Sequence, residues 1–360
     1  MRKRDALWNV LAVLAVVLVI GLGRCVPVGL FSTPTAVPTL VGPRRIADNT
    51  LGLREYWRAP FDHMYSLTAT SGRVVYVDSV SNVSHVRVLD AANGDLLWEV
   101  VEEGWDNWVA ADAERVYFED SYDVLHAYAM EDGRLLWKRQ FSPYRGRWRS
   151  PDPHGDILYI RQGGSGEDYL YTLDARTGEV LSTESLWTAD HFLVFAQFSR
   201  FDLHILTVQQ PFTLRAVDSV TQQTLWQIEQ RPGLFLQNLR WPPVLLDDLL
   251  LLDLEGDVLA LDAQSGQIRW RSLVPDHPET RFATGTGAIV IGDAIYAVRR
   301  DARLVRLDAR TGQETGYIQF APSLSEKNPY GGGNVLGLAG DGQMLFVSFA
   351  DSQELIALGP

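Results

Sequence analysis

The sequence predicts an all-β protein, a seven-bladed β-propeller of four-stranded antiparallel blades closed by an N-terminal strand, with an N-terminal transmembrane helix ahead of it. Three observations predict it. One strand–turn–strand motif recurs six times at a near-constant spacing, seven short apolar second strands accompany the motif, and the two chain ends hold complementary parts of one more blade.

The chain opens with Arg2, Lys3 and Arg4, followed by an uncharged run of 18 residues and then Arg24. A run of that length approaches the roughly 20 apolar residues that span a bilayer. Residues 1–25 therefore read as cytoplasmic basic residues and a signal-anchor, with 7–23 in the membrane and the rest of the chain outside it. The single cysteine, Cys25, follows directly, but Arg24 stands where a lipidation site needs a small residue, so a retained anchor is the reading preferred over a lipoprotein. One cysteine also excludes an intrachain disulfide, which leaves packing to hold the domain. Residues 26–45 read as a linker rich in proline and threonine, an extended spacer, and the propeller occupies 46–360.

The motif is clearest at 258–270, an apolar strand, Asp262, a turn closed by Gly266, and a second strand carrying Trp270. The aspartate can bond the turn backbone, and the glycine takes the positive φ that a bulged hairpin demands. Further copies hold Asp90, Gly94 and Trp98; Ala129, Gly133 and Trp137; Asp174 and Gly178; Asp218, Gln222 and Trp226; and Asp308 and Gly312. The turn positions step by 39, 45, 44, 44 and 46 residues, the period of propeller blades. Ser182 and Gly316 stand where tryptophan is expected, Gln222 replaces a glycine and Ala129 an aspartate, and those blades are expected to dock more loosely.

Second strands are legible at 73–77, 115–118, 157–160, 203–206, 249–252, 294–297 and 344–347. The chain ends at 354–358 on a third strand without a fourth, while a strand ending in Trp57 lacks partners at the start. Joining them closes the ring and removes the open sheet edges.

The repeated L-D-A-x-T-G-x-x-x-W pattern resembles the pyrroloquinoline-quinone-type β-propeller repeat family across most of residues 46–360. The resemblance implies the propeller fold but not a chemistry, because function sits in sites grafted on a fold. Quinone-dependent dehydrogenases of this kind are generally larger, eight-bladed, and many use adjacent cysteines; this chain matches none of their catalytic or calcium motifs, so no catalytic residue is carried over. Neither the quinone nor calcium is expected as a cofactor.

The remaining residues sort into structure and surface. The aspartates Asp90, Asp174, Asp218, Asp262 and Asp308 each cap their own turn, and Trp57, Trp98, Trp137, Trp226 and Trp270 read as wedges between blades. None of the seven histidines lies at ligand spacing to another histidine or to the cysteine, so a metal site is not indicated. A net charge of −13 excludes a general nucleic-acid surface. Loops between blades hold arginine with aromatics, a composition of protein interfaces: Trp105 and Trp108 in 102–108, Tyr144, Arg145, Arg147 and Trp148 in 142–154, and Arg240 and Trp241 in 231–243.

The expected function is a membrane-anchored, extracytoplasmic, non-enzymatic scaffold of the family's non-enzymatic branch, binding a protein, a peptide or a cell-envelope polymer. The alternatives are a quinone-dependent oxidoreductase with its cofactor in the central funnel and a ligand-sensing ectodomain.

Overall fold

The computed structural model describes residues 46–360 except 82, 104–107, 121–123, 142–146, 149–150, 164–167, 186–192, 199–200, 207–212, 230–242, 255–256, 273–286, 299–302, 321–334 and 350–351. The expected transmembrane segment and linker lie outside the described residues. Among the described residues there is no helix long and apolar enough to cross a membrane, and every regular element is a strand.

Strands β1 (Ile46–Asn49) and β2 (Arg54–Pro60) come first. Blade 1 is β3 (Met64–Thr70), β4 (Arg73–Val80), β5 (Val83–Asp90) and β6 (Leu96–Glu103). Blade 2 is β7 (Val109–Ala111), β8 (Arg115–Glu119), β9 (Val124–Ala129) and β10 (Leu135–Gln140). Blade 3 is β11 (Arg147–Trp148), β12 (Asp152–His154), β13 (Ile157–Gly163), β14 (Asp168–Asp174) and β15 (Val180–Ser185). Blade 4 is β16 (Leu193–Gln197), β17 (Phe201–Leu206), β18 (Thr213–Asp218) and β19 (Thr224–Glu229). Blade 5 is β20 (Val244–Leu246), β21 (Leu249–Leu254), β22 (Asp257–Asp262) and β23 (Ile268–Ser272). Blade 6 is β24 (Ile289–Ile291), β25 (Ala294–Val298), β26 (Arg303–Asp308) and β27 (Glu314–Phe320). Blade 7 is β28 (Val335–Gly340), β29 (Leu345–Phe349) and β30 (Glu354–Gly359), completed by β2.

The protein is a seven-bladed propeller, and all pairings within blades are antiparallel. Each second strand expected from the sequence is present, and β2 pairs with β30 from Arg54 opposite Gly359 to Pro60 opposite Glu354, which joins the chain ends. Two features went unread. Strand β1 adds a fifth strand to the outer edge of blade 6, and the stretch 142–154, expected to be a loop, contains β11 and β12, both paired with β13.

The turn chemistry is uniform. In five hairpins the glycine takes a φ between +67° and +77°, and its amide bonds the carbonyl four residues back, as in Gly266 to Asp262 at 2.8 Å. The Asp262 carboxylate accepts from the amides of Gln264 and Ser265 and from the Ser265 hydroxyl, and Asp174, Asp218 and Asp308 do the same in their turns. Where Ala129 replaces the aspartate, Asp132 accepts from the Arg134 amide instead.

Between blades, a tryptophan on the outer strand of one blade reaches the turn of the next. Trp57, Trp98, Trp137, Trp226 and Trp270 donate their indole N–H to the carbonyls of Ala91, Met130, Ala175, Ala263 and Ala309, at 2.8 to 3.0 Å. Each indole also lies flat on the next turn's glycine: a Cβ on Gly266 would stand 2.5 Å from Trp226 Cδ2, and Gly94, Gly133, Gly178 and Gly312 are covered in the same way. Glycine is thus required twice there, by its φ and by the ring above it.

The other two seams close differently. Between blades 3 and 4, Ser182 takes the tryptophan's register opposite Thr172, and Gln222 takes the glycine's place at φ +58°. The Gln222 side-chain amide donates to the Ser219 carbonyl at 3.1 Å, the carbonyl that an indole would have satisfied. Between blades 6 and 7 there is no such hairpin to cover, because the outer neighbour of β30 is β2. There Leu51 lies over Gly316, 2.6 Å from where its Cβ would be, while Thr50 exchanges hydrogen bonds with Tyr317. Ile46, Leu51 and Leu53 pack on the cluster that joins those two blades.

Candidate functional site

The hairpin turns and the first-to-second-strand turns share one end of the propeller, since the Ala91 amide bonds the Gly72 carbonyl and the Ala175 amide that of Asp156. The strand ends joined by the loops between blades lie at the other end, and the sequence assigns the candidate interface residues to those loops. Of these, Trp108 is described and is 37% exposed, ahead of β7. Arg147 and Trp148 form the short strand β11, their backbones opposite Gly163 and Gln162. Trp105, Tyr144, Arg145, Arg240 and Trp241 lie outside the described residues.

Two polar networks underlie the loop end of blades 1 and 2. In the first, Tyr128 donates its hydroxyl to Glu102 Oε1 at 2.5 Å and lies 3.2 Å from His126 Nδ1. His126 Nε2 in turn sits 3.0 Å from Asp120 Oδ2, and the Asp120 carboxylate also accepts from the Val124 amide. Burial and then the Glu102 carboxylate push the Tyr128 phenol well above its ordinary range, so it stays a donor. His126 and Tyr128 are buried, and their rings stack at 13° with centroids 5.9 Å apart.

In the second network Arg87 bridges the fully buried Asp78, at 2.6 Å, and Glu99, at 2.8 Å, while His85 Nδ1 meets the same Glu99 oxygen at 2.7 Å. Partial burial works against ionisation of Glu99, but the hydrogen bonds from His85 and Arg87 prevail and hold its carboxyl below the usual range. Asp78 also accepts from the Asp62 amide, which ties the entry loop of blade 1 to its second strand. Both networks bind their carboxylates to neighbours in the same fold. They brace the loop end instead of presenting a free base or nucleophile.

These networks were missed in the sequence, although a signal existed. His126 and Tyr128 alternate on β9, as His85 and Arg87 do on β5, and period-two spacing places each pair on one face. The turn aspartates do not converge: each caps its own blade. Among the described residues, no group of three or more histidine, cysteine, aspartate or glutamate side chains could hold a metal ion.

A family profile described as outer membrane protein assembly factor BamB matches residues 82–360. The chain belongs to this family. The match begins in blade 1 and runs to the last residue, so it takes in all six motif copies and strands β28 to β30 of the closing blade. No curated protein matches the chain by sequence. Among solved structures, the crystal structure of BamB from Moraxella catarrhalis is similar, with a TM-score of 0.51 and 15% identity, over 86% of this chain and 100% of that one. At that identity the likeness is one of fold.

Proposed function

We propose that this chain is a non-enzymatic, protein-binding scaffold that works at the cell envelope in the assembly of outer membrane proteins. Membership of the family described as outer membrane protein assembly factor carries this reading. Trp108, exposed ahead of β7, supports it, together with the arginine and aromatic residues that the sequence holds in segments between blades. Such a composition suits protein recognition, in which a few aromatic and arginine anchors supply most of the affinity.

In this proposal residues 1–25 hold the chain in the membrane, 26–45 space it away, and Trp105, Trp108, Tyr144, Arg145, Arg147, Trp148, Arg240 and Trp241 contact the partner. The test is affinity capture of the full chain from cross-linked cells. Outer membrane assembly proteins should co-purify, and Arg147→Ala with Trp148→Ala should abolish their capture while leaving the melting temperature nearly unchanged. Capture that survives the double change would remove these residues from the interface. A saturable rise in melting temperature with pyrroloquinoline quinone and calcium would instead support the oxidoreductase reading.

A further inference from the structure

We infer that the seam between blades 3 and 4 is a built-in opening point of the ring, which parts in preference to the other seams and tightens when the Asp202 and Glu184 pair takes up a proton. Three independent features converge on it. The indole lock is missing, since Ser182 and Gln222 replace tryptophan and glycine. Gln222 holds a left-handed backbone, which strains a residue that carries a side chain. The facing surfaces are polar at positions where the seam between blades 4 and 5 is apolar.

The third feature follows from register. On blade 5, Leu250, Leu252, Leu259 and Leu261 face blade 4 and pack with Trp226. The equivalent residues of blade 4, which face blade 3, are Asp202, His204, Arg215 and Val217. Blade 3 meets them with Tyr159, Leu170, Thr172, Ser182 and Glu184, paired across β13, β14 and β15. Tyr159 and Leu170 alone bring blade 3 into the neighbouring apolar cluster.

Burial, with the Glu184 carboxylate beside it, pushes the Asp202 carboxyl up to about 6. The other charged or titratable groups described on the two facing surfaces are Asp152 and Arg161 of blade 3 and His204, Arg215 and Glu229 of blade 4. Because the folded value is raised, the penalty of ionising Asp202 is absent at low pH and complete once pH has risen through about 6. Above that, two carboxylates face each other across a seam without a lock. The chain termini, where a ring closed by its ends would part first, are instead reinforced by β1 and Leu51.

Thiol labelling of the full chain tests this at matched positions. Val217 and Leu261 occupy equivalent sites on blades 4 and 5, and both are buried. Val217→Cys should react with a maleimide about tenfold faster than Leu261→Cys at about pH 7.5, with Cys25 read on its own peptide. The ratio should fall several-fold at about pH 5.5, and Asp202→Asn should lower it at the higher pH as well. Equal rates at the two positions would overturn the opening point. A ratio unchanged by pH and by Asp202→Asn would overturn its control by the carboxyl pair.

Discussion

The two flanks of blade 4 face the same kind of neighbour and are built on opposite principles. Toward blade 5 it offers Leu203, Leu214, Ala216 and Trp226 to four leucines, and the indole bonds Ala263 above Gly266. Toward blade 3 it offers Asp202, His204, Arg215 and Val217, and the lock is reduced to an exposed Gln222 side chain bonding Ser219. The blade's internal hydrogen bonding is alike on both sides, since one sheet supplies both faces. Cohesion of the ring is therefore a property of the seams, and each of the five indole seams depends on a pair of residues 32 to 39 positions apart in the sequence.

The largest effect expected from this difference is at the indole. Trp226→Ala should destabilise the protein by about 3–5 kcal/mol in denaturant unfolding, whereas Ser182→Ala, at the same register one blade earlier, should change it by less than about 0.5 kcal/mol. Next comes the turn. Gly266→Ala places a methyl group in the Trp226 ring and a left-handed φ on alanine, and should cost about 2–4 kcal/mol. Gln222→Gly should stay within about 0.5 kcal/mol of the parent, because relief of the backbone offsets the lost bond to Ser219.

The seam between blades 6 and 7 sharpens the comparison, for there Leu51 does the covering. Leu51→Ala should cost about 1–2 kcal/mol, less than a tryptophan because the side chain is only partly buried. The smallest effect concerns acid. Hydrogen bonds from Arg269 and Ser265 hold the Asp262 carboxyl at about 2, and those from Thr221 and Thr311 hold Asp218 and Asp308 below their usual range. A carboxyl depressed on folding stabilises above its ordinary value near 3.9 and loses that contribution as pH falls through the folded value. Asp262→Asn should therefore flatten the decline in stability between about pH 4 and pH 2, read from melting temperatures across that range.

Much of the fold was legible because one motif repeats. The spacing of Gly94, Gly133, Gly178, Gln222, Gly266 and Gly312 set the blade count, and the orphan strands at the two ends pointed to the shared seventh blade. Ser182, Gln222 and Gly316 were visible as departures, but their meaning was not. A missing tryptophan and a missing glycine look like two independent defects until the register assigns them to the two sides of one seam. Strand β1 was illegible because Ile46–Asn49 is short and mixed, and its pairing with β27 is set by residues some 270 positions away. The polar network around Tyr128 hid for a similar reason, since Glu102 meets Tyr128 and His126 only across a blade boundary. The interface residues rested on composition alone, and composition does not fix which side chains share a surface.

The measurement that bears most directly on the seam account is the stability of Ser182→Trp combined with Gln222→Gly, set against each single change in a double-mutant cycle. If the seams are reciprocal locks, the pair restores the arrangement seen at Trp226 and Gly266, with favourable coupling and a protein about 1–2 kcal/mol more stable than the parent. A combined variant no more stable than the sum of its single changes would contradict the account.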